Sequence, residues 1–169
     1  MNNFVAVLMG SDSDFQTMKA TCGVLKHFDV HFEVKVTSAH RTPVQTKEYV
    51  VDAEQRGCKV FICAAGLAAH LAGAVASMTV LPVIGVPIAN GPLQGEDALL
   101  STVMMPGGIP VATVAIGSAG AKNAGYLATQ MLAIDNVVLK EKLLEERRLN
   151  IKTIEDKNAS LQTQLLNEF

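Results

Sequence analysis

The side chains capable of chemistry gather in five short segments, each following an apolar run. They read Gly10-Ser11-Asp12-Ser13-Asp14, Ser38-Ala39-His40-Arg41-Thr42-Pro43, Ala65-Gly66-Leu67-Ala68-Ala69-His70, Ala89-Asn90-Gly91-Pro92 and Gly117-Ser118-Ala119-Gly120-Ala121-Lys122-Asn123. In the first, a glycine and two serines stand before a helical pattern. Backbone N–H groups at such a start favour an anion, with the helix dipole behind them, and the hydroxyls of Ser11 and Ser13 can add donors. A carboxylate repels phosphate, so Asp14 is better suited to accept hydrogen bonds from sugar hydroxyls, and Asp12 to cap the helix. The segment reads either as a capped turn or as a phosphoribosyl cradle. It holds neither the Gly-Lys-Ser/Thr of a Walker loop nor a Gly-x-Gly-x-x-Gly fingerprint, which argues against ATP and NAD.

The second segment places His40 beside Arg41. The guanidinium fork suits phosphate, and a histidine at a helix start can move a proton in either direction. Taken alone, His40 is as readily a surface residue near a cap. His70 is either a satisfied core histidine or a donor lining a site, and Lys122 either a surface lysine or part of the fifth loop's chemistry. With His27 on a helix and His31 on a strand, no two histidines show ligand spacing, so no metal is expected.

The elements that position these segments follow from periodicity. Phe4–Met9 is a continuous apolar run, as a strand covered on both faces requires. Phe15, Met18, Cys22 and Leu25 recur at helical spacing. Val30–Val36 alternates, the mark of a strand with one wetter face. Thr42 then Pro43 starts a helix with a hydroxyl cap and a first-turn proline, and Gly57 ends it. Further strands are expected over Lys59–Ala64, Pro82–Val86 and Val111–Ile116. Helices are expected over Leu67–Met78 and Asp97–Met104, and along the Ala124, Leu127, Ala128, Met131 face. Strict alternation of strand and helix predicts an α/β fold: a three-layer α/β/α sandwich on a flavodoxin-like parallel sheet of order 2-1-3-4-5. Loops leaving the carboxyl ends of such strands share one rim, and ligands bind there.

The catalytic domain is expected to span 1–137. Residues 138–169 form a helical extension whose first two-thirds hold over a third of the chain's charged residues, while Leu144, Ile151, Ile154, Leu161 and Leu165 keep helical spacing. It is either a solvated helix or an arm lying on a neighbouring subunit.

Composition narrows the class. The 169 residues are enough for one domain with a sizeable core. A net charge of −2, no basic face and no Trp argue against nucleic acid as a partner. Between Lys59 and Glu96 there is no Asp, Glu, Lys or Arg, yet Gly66, Gly73, Pro82, Gly85 and Pro87 break that run, so no membrane span is expected. Cys22, Cys58 and Cys63 are an odd set without metal spacing, which fits reduced thiols in a cytoplasmic protein. The surplus of apolar residues points to subunit contacts.

The loops together resemble the phosphoribosylaminoimidazole carboxylase catalytic-subunit family of purine biosynthesis, the PurE type. The motifs are Met9-Gly-Ser-Asp-Ser-Asp14, Ser38-Ala-His-Arg-Thr-Pro43, Ala68-Ala-His-Leu71, Pro82-Val-Ile-Gly-Val-Pro87 and Met105-Pro-Gly-Gly-Ile-Pro-Val-Ala-Thr-Val-Ala-Ile-Gly117, within Val5–Ala133. The resemblance implies a mutase moving a carboxylate from the exocyclic nitrogen of 5-(carboxyamino)imidazole ribonucleotide to the ring carbon, giving 4-carboxy-5-aminoimidazole ribonucleotide. No cofactor is implied, and the assembly is a homo-octamer. Ser11, Ser38 and Arg41 then hold the phosphate, Asp14 the ribose, and His40 is the catalytic residue. Ser13, Gly66, Ala68, His70 and Leu71 complete the substrate-binding set. The inferred mechanism is decarboxylation in a closed pocket, trapping of carbon dioxide and its attack by the ring carbon, with His40 managing that carbon's proton. Leu67 and Ala72 depart from the family pattern, where Gly and Pro are expected, and Leu67 is expected to reshape the pocket wall. A sister branch carboxylates aminoimidazole ribonucleotide directly, with a Ser-Asn type of segment where this chain keeps Ala68–Leu71. Outside the enzymes, a flavin- or nucleotide-binding module and a purely structural subunit are the competing readings.

Overall fold

The structure, a computed structural model, describes residues 3–169. Its first strand, β1 (Phe4–Met9), is buried along its whole length, because a six-residue apolar run is stable in a sheet only where both faces are covered. The other strands are β2 (Phe32–Val36), β3 (Cys58–Gly66), β4 (Val83–Ile88) and β5 (Ala112–Thr113). All pairs are parallel and the order is β2-β1-β3-β4-β5, the flavodoxin-like arrangement expected from the alternation. Six helices accompany them: α1 (Phe15–His27), α2 (Pro43–Arg56), α3 (Leu71–Ala76), α4 (Glu96–Val103), α5 (Gly117–Leu132) and α6 (Val137–Glu168).

Alternation along the strands divides the core into two layers. Phe4, Ala6 and Leu8 join Phe61 and Cys63 on one face, covered by Val50 and Ala53 of α2 and by Leu71, Ala72 and Val75 of α3. On that face Gly85 leaves no room for a Cβ against Thr102 of α4 and Val111, so the helix seats close on β4. The opposite face belongs to α1 and α5, which approach each other where Gly125 meets Val24 and where the Thr21 hydroxyl donates to the Ala121 carbonyl at 2.6 Å.

Several boundaries differ from expectation. The buried face of α1 runs through Met18, Thr21, Val24 and Leu25, while Phe15 is exposed. On α5 the small residues Gly120, Ala121, Ala124, Gly125 and Ala128 carry the packing. Strands β3 and β4 reach two residues further, to Gly66 and Ile88, whereas β5 forms only two register pairs with β4 instead of spanning Val111–Ile116. It is an edge strand paired on one side, and Gly117 turns the chain into α5 with φ 75 soon afterwards. Helix α3 is confined to Leu71–Ala76, so the expected start at Leu67 is replaced by four residues of loop. Thr42 occupies the cap position of α2, but its hydroxyl turns back to accept from the Ser38 N–H at 2.9 Å and makes no cap bond. Gly57 ends α2 in the left-handed conformation, as its position predicts.

The chain divides between Met131 and Leu132 into two compact units. The second contains α6, a 32-residue helix started by Asn136, whose side chain accepts from the Leu139 N–H. Leu144, Ile151, Ile154, Leu161 and Leu165 are all exposed on it. Among the described residues no helix is long and apolar enough to cross a membrane. Cys58 and Cys63 are buried and Cys22 half-buried, all as free thiols; burial pushes Cys58 up to about 11 and raises the other two.

Candidate functional site

The carboxyl end of β1 delivers the chain to Gly10, whose N–H stays paired with the Ala64 carbonyl at 3.0 Å. A tight turn over Asp12–Asp14 follows, capped reciprocally. The Ser11 hydroxyl accepts from the Ser13 N–H, and the Asp14 carboxylate accepts from the Ser11 N–H at 3.2 Å. The Ser11–Asp14 pair therefore does the capping expected of Asp12, whose carboxylate instead accepts from the Ser13 N–H and the Ser11 hydroxyl. The hydroxyls of Ser11 and Ser13 lie 2.9 Å apart. Asp14 is only 3 % exposed, and its second carboxylate oxygen accepts from the Asn90 side-chain amide at 3.3 Å. Burial raises its carboxyl above the ordinary value, and the two donors offset this in part.

After β2, the Ser38 hydroxyl accepts from the Arg41 N–H at 3.2 Å, which bends the loop and turns the arginine towards β1. Its guanidinium donates to the Gly10 carbonyl at 3.0 Å. That bond commits one of five donors and fastens the first two loops together. Next to it His40 reaches across to the third loop. Its Nε2 lies 2.8 Å from Nδ1 of His70, with the ring planes 81° apart. One nitrogen of each imidazole is thus spent on a shared proton, and whichever ring donates fixes the tautomer of the other.

The third loop arrives from β3 through Gly66 and enters α3 at His70, its N-cap residue. Within it Leu67 adopts φ 55, the left-handed region that a leucine rarely occupies. Ser101 of α4 holds the loop from behind, accepting from the Ala69 N–H at 3.1 Å and facing the Leu67 carbonyl at 3.3 Å.

These segments enclose a cavity of about 400 Å³, within the range of small-molecule sites. Ser11, Ser13, Asp14, Ser38 and Arg41 form its polar wall. Gly66, Ala68 and Leu71 supply apolar lining, and His40 and His70 complete the wall. Every residue singled out in the sequence as a site residue lines this one cavity. Leu67, expected to reshape the pocket wall, lines it too, as do Gly10, Ala39, Ala65 and Asn90, which carry no expected role. Asn90 was signalled only by its place in the fourth rim loop. The fifth segment is not part of the lining, since from Gly117 it is already helix, and Lys122 is exposed.

A second hollow, of about 510 Å³, opens towards β2 and shares Gly10, Ser11, Ser38 and Arg41 with the first. The shared set holds two hydroxyls and the guanidinium, so an anion bridging the two hollows would meet all three. The arrangement brings together donors that suit an anion, a pair of imidazoles able to give and take a proton, and small apolar residues in one cavity.

A family model described as AIR carboxylase matches residues 4–153. The chain is 54% identical over 158 residues to the N5-carboxyaminoimidazole ribonucleotide mutase of Synechocystis sp., covering 94% of this chain and 89% of that protein. It is 53% identical over 152 residues to the protein of the same name from Bacillus subtilis, covering 90% and 93%. Among solved structures, Treponema denticola PurE superposes with a TM-score of 0.85 at 25% identity, over 95% of this chain and 99% of that one.

Proposed function

The chain belongs to the AIR carboxylase family, and from that premise we infer that it serves purine biosynthesis as a mutase. It converts 5-(carboxyamino)imidazole ribonucleotide into 4-carboxy-5-aminoimidazole ribonucleotide. The observation that carries this reading is the His40–His70 pair, 2.8 Å apart, at the junction of a polar and an apolar wall. The 5′-phosphate sits against Ser11, Ser38 and Arg41, with Ser13 beside it, and Asp14 accepts from the ribose hydroxyls. The imidazole ring then lies over Gly66 and Ala68, with Leu71 beneath and its reacting edge at His40.

The reaction needs a proton moved twice and no net proton. The C–N bond of the carbamate breaks, carbon dioxide leaves, and the electron pair stays on nitrogen, which takes up a proton. The ring carbon, enriched by the restored amine, attacks the trapped carbon dioxide, forms the new C–C bond and gives up its own proton. A single imidazole can supply the first proton and recover the second, which is the role of His40, with His70 holding its ring in place. Orientation and exclusion of water supply the rest of the rate.

The protein acts in the cytoplasm as a homo-octamer, and α6 with its Leu144–Leu165 stripe packs on a neighbouring subunit. Support comes from the apolar side chains left exposed on the single chain, among them Met104, Ile151 and Ile154. Ile151→Asp combined with Ile154→Asp should shift sedimentation to smaller species; an unchanged octamer would leave the arm without that role.

Feeding each substrate separately tests the reaction. The carboxyamino substrate should give 4-carboxy product without added bicarbonate. If product formed only from aminoimidazole ribonucleotide and bicarbonate, the chain would instead be a direct carboxylase.

A further inference from the structure

We propose that Asn90 is a positioning residue for ribose recognition: it reaches across the end of β3 and holds the Asp14 carboxylate in the orientation that receives the ribose hydroxyls. The inference rests on the nucleotide placement given above and adds to it the residue that sets the geometry of the ribose contact.

The sheet order makes this contact a long reach. Strand β3 lies between β1 and β4, so a side chain following β4 meets one following β1 only by passing over the last residue of β3. That residue is Gly66. A Cβ there would lie 3.1 Å from the Asn90 amide nitrogen and 3.2 Å from its Cβ, closer than a Cβ ordinarily packs. The missing side chain is thus the passage that Asn90 uses. Beyond it, the Asn90 amide donates to Oδ1 of Asp14 at 3.3 Å. The base of the asparagine is anchored where β4 ends, since its N–H donates to the Ile88 carbonyl at 2.9 Å.

The carboxylate is held from two sides. Oδ2 accepts from the Ser11 N–H at 3.2 Å within the first loop, and Oδ1 accepts from Asn90 of the fourth. Two donors from different elements fix the plane of the group against rotation about its last bond. Each carboxylate oxygen accepts about two hydrogen bonds, so one position on each is left, the pair that a vicinal diol fills. The same bond bears on charge. Burial and the Asp12 carboxylate favour protonated Asp14, while Ser11 and Asn90 favour the ionised form that accepts through both oxygens. Arg41, His40 and His70 line the same cavity from the second and third loops. Losing Asn90 leaves Oδ1 of a buried carboxylate without its donor, and the plane free to turn.

The test separates ribose recognition from packing. Binding of 5-aminoimidazole ribonucleotide and of its 2′-deoxy analogue is measured by calorimetry in wild type, Asn90→Ala and Asn90→Asp. The aspartate keeps the volume over Gly66 and removes the donor. The wild-type protein should prefer the ribonucleotide by about 10–100-fold, the range of a hydrogen bond to a charged group. In both variants the preference should shrink to within about threefold, as for a poorly aligned contact. With the carboxyamino substrate, KM should rise about tenfold while kcat holds, because the ribose contact is shared by ground state and transition state. A variant that keeps the wild-type preference, even with weaker binding of both ligands, would overturn the role and leave Asn90 as packing alone. Equal affinity of the wild-type protein for the two ligands would instead remove Asp14 from the ribose, and Asn90 with it. Binding of neither would overturn the functional reading itself.

Discussion

On the wall formed after β1 and β2, the side chains of Ser11, Asp14, Ser38 and Arg41 are each tied to a backbone group. Ser11 and Asp14 cap a turn, the Ser38 hydroxyl accepts from the Arg41 N–H, and the Arg41 guanidinium donates to the Gly10 carbonyl. On the wall formed after β3, no side chain makes such a bond; Ser101 acts from outside the cavity and the backbone of Leu67 bends instead. The first wall is preorganised by hydrogen bonds and the second by conformational strain. Fixed donors of the first kind are what a bound anion requires. His40 and His70, one from each wall, are where the two designs meet.

If proton transfer belongs to that junction, breaking it should have the largest effect of any single change. His40→Asn keeps polarity and volume near the imidazole but cannot cycle a proton. We expect kcat to fall by about 10²–10⁴-fold, with the ribonucleotide still bound when measured by calorimetry. A variant turning over at the wild-type rate would remove His40 from the chemistry. His70→Asn should give a smaller loss and a displaced pH profile, because it frees the His40 ring without removing it.

The polar wall is tested next. Arg41→Ala removes a charge-assisted contact that ground state and transition state share, so KM should rise while kcat holds. The loss expected is about 1.5–3 kcal/mol of binding free energy. Equal affinity in the variant would move the phosphate to another seat, and with it the polar role of this wall.

How much of this was readable beforehand follows the same division. The information in the polar wall lies in residue identity: Ser11, Ser13, Asp14, Ser38 and Arg41 are polar residues at strand ends, and all five line the cavity. The sheet was equally plain, because Phe4–Met9 has no polar residue to place elsewhere and the segments alternate cleanly. Only the start of α3 departs from the sequence on the other wall. Leu67–Ala69 has good helix propensity, so an early start for α3 looked sound. The left-handed turn at Leu67 packs against Gly91 and precedes the Ala69 N–H that donates to Ser101, partners far away in sequence that carry no local signal. Asn90 escaped for a related reason, since its partner Asp14 is 76 positions away. The short β5 records another override, in which Gly117 turns the chain out of a strand that its valines favour.

Ser101→Ala isolates the support of the apolar wall without touching the cavity. It leaves the Ala69 N–H without its acceptor, for a stability loss of about 1 kcal/mol, measured by denaturant unfolding. Because that anchor lies outside the polar wall, the same variant should keep its affinity for the ribonucleotide, measured by calorimetry. A loss of affinity in parallel with the loss of stability would mean that the two walls are mechanically one.

The smallest effect should come from Asp14, the one member of the polar wall that is buried. Desolvation is the largest influence on its carboxyl and raises it, outweighing the Ser11 and Asn90 donors. In the unfolded chain the same group titrates at its ordinary value, so between the two values the folded protein holds a proton that the unfolded chain has released. Stability must then fall as pH rises through that window and recover on acidification. Asp14→Asn removes this dependence while keeping an acceptor for the Ser11 N–H. Melting temperatures of the two proteins followed from about pH 4 to pH 7 should therefore show the wild type gaining on the variant towards acid. The opposite trend would mean that Ser11 and Asn90 stabilise the carboxylate by more than burial penalises it. Asp14 would then stand with Arg41 as a fixed charge and not as a carboxyl awaiting the ribose hydroxyls.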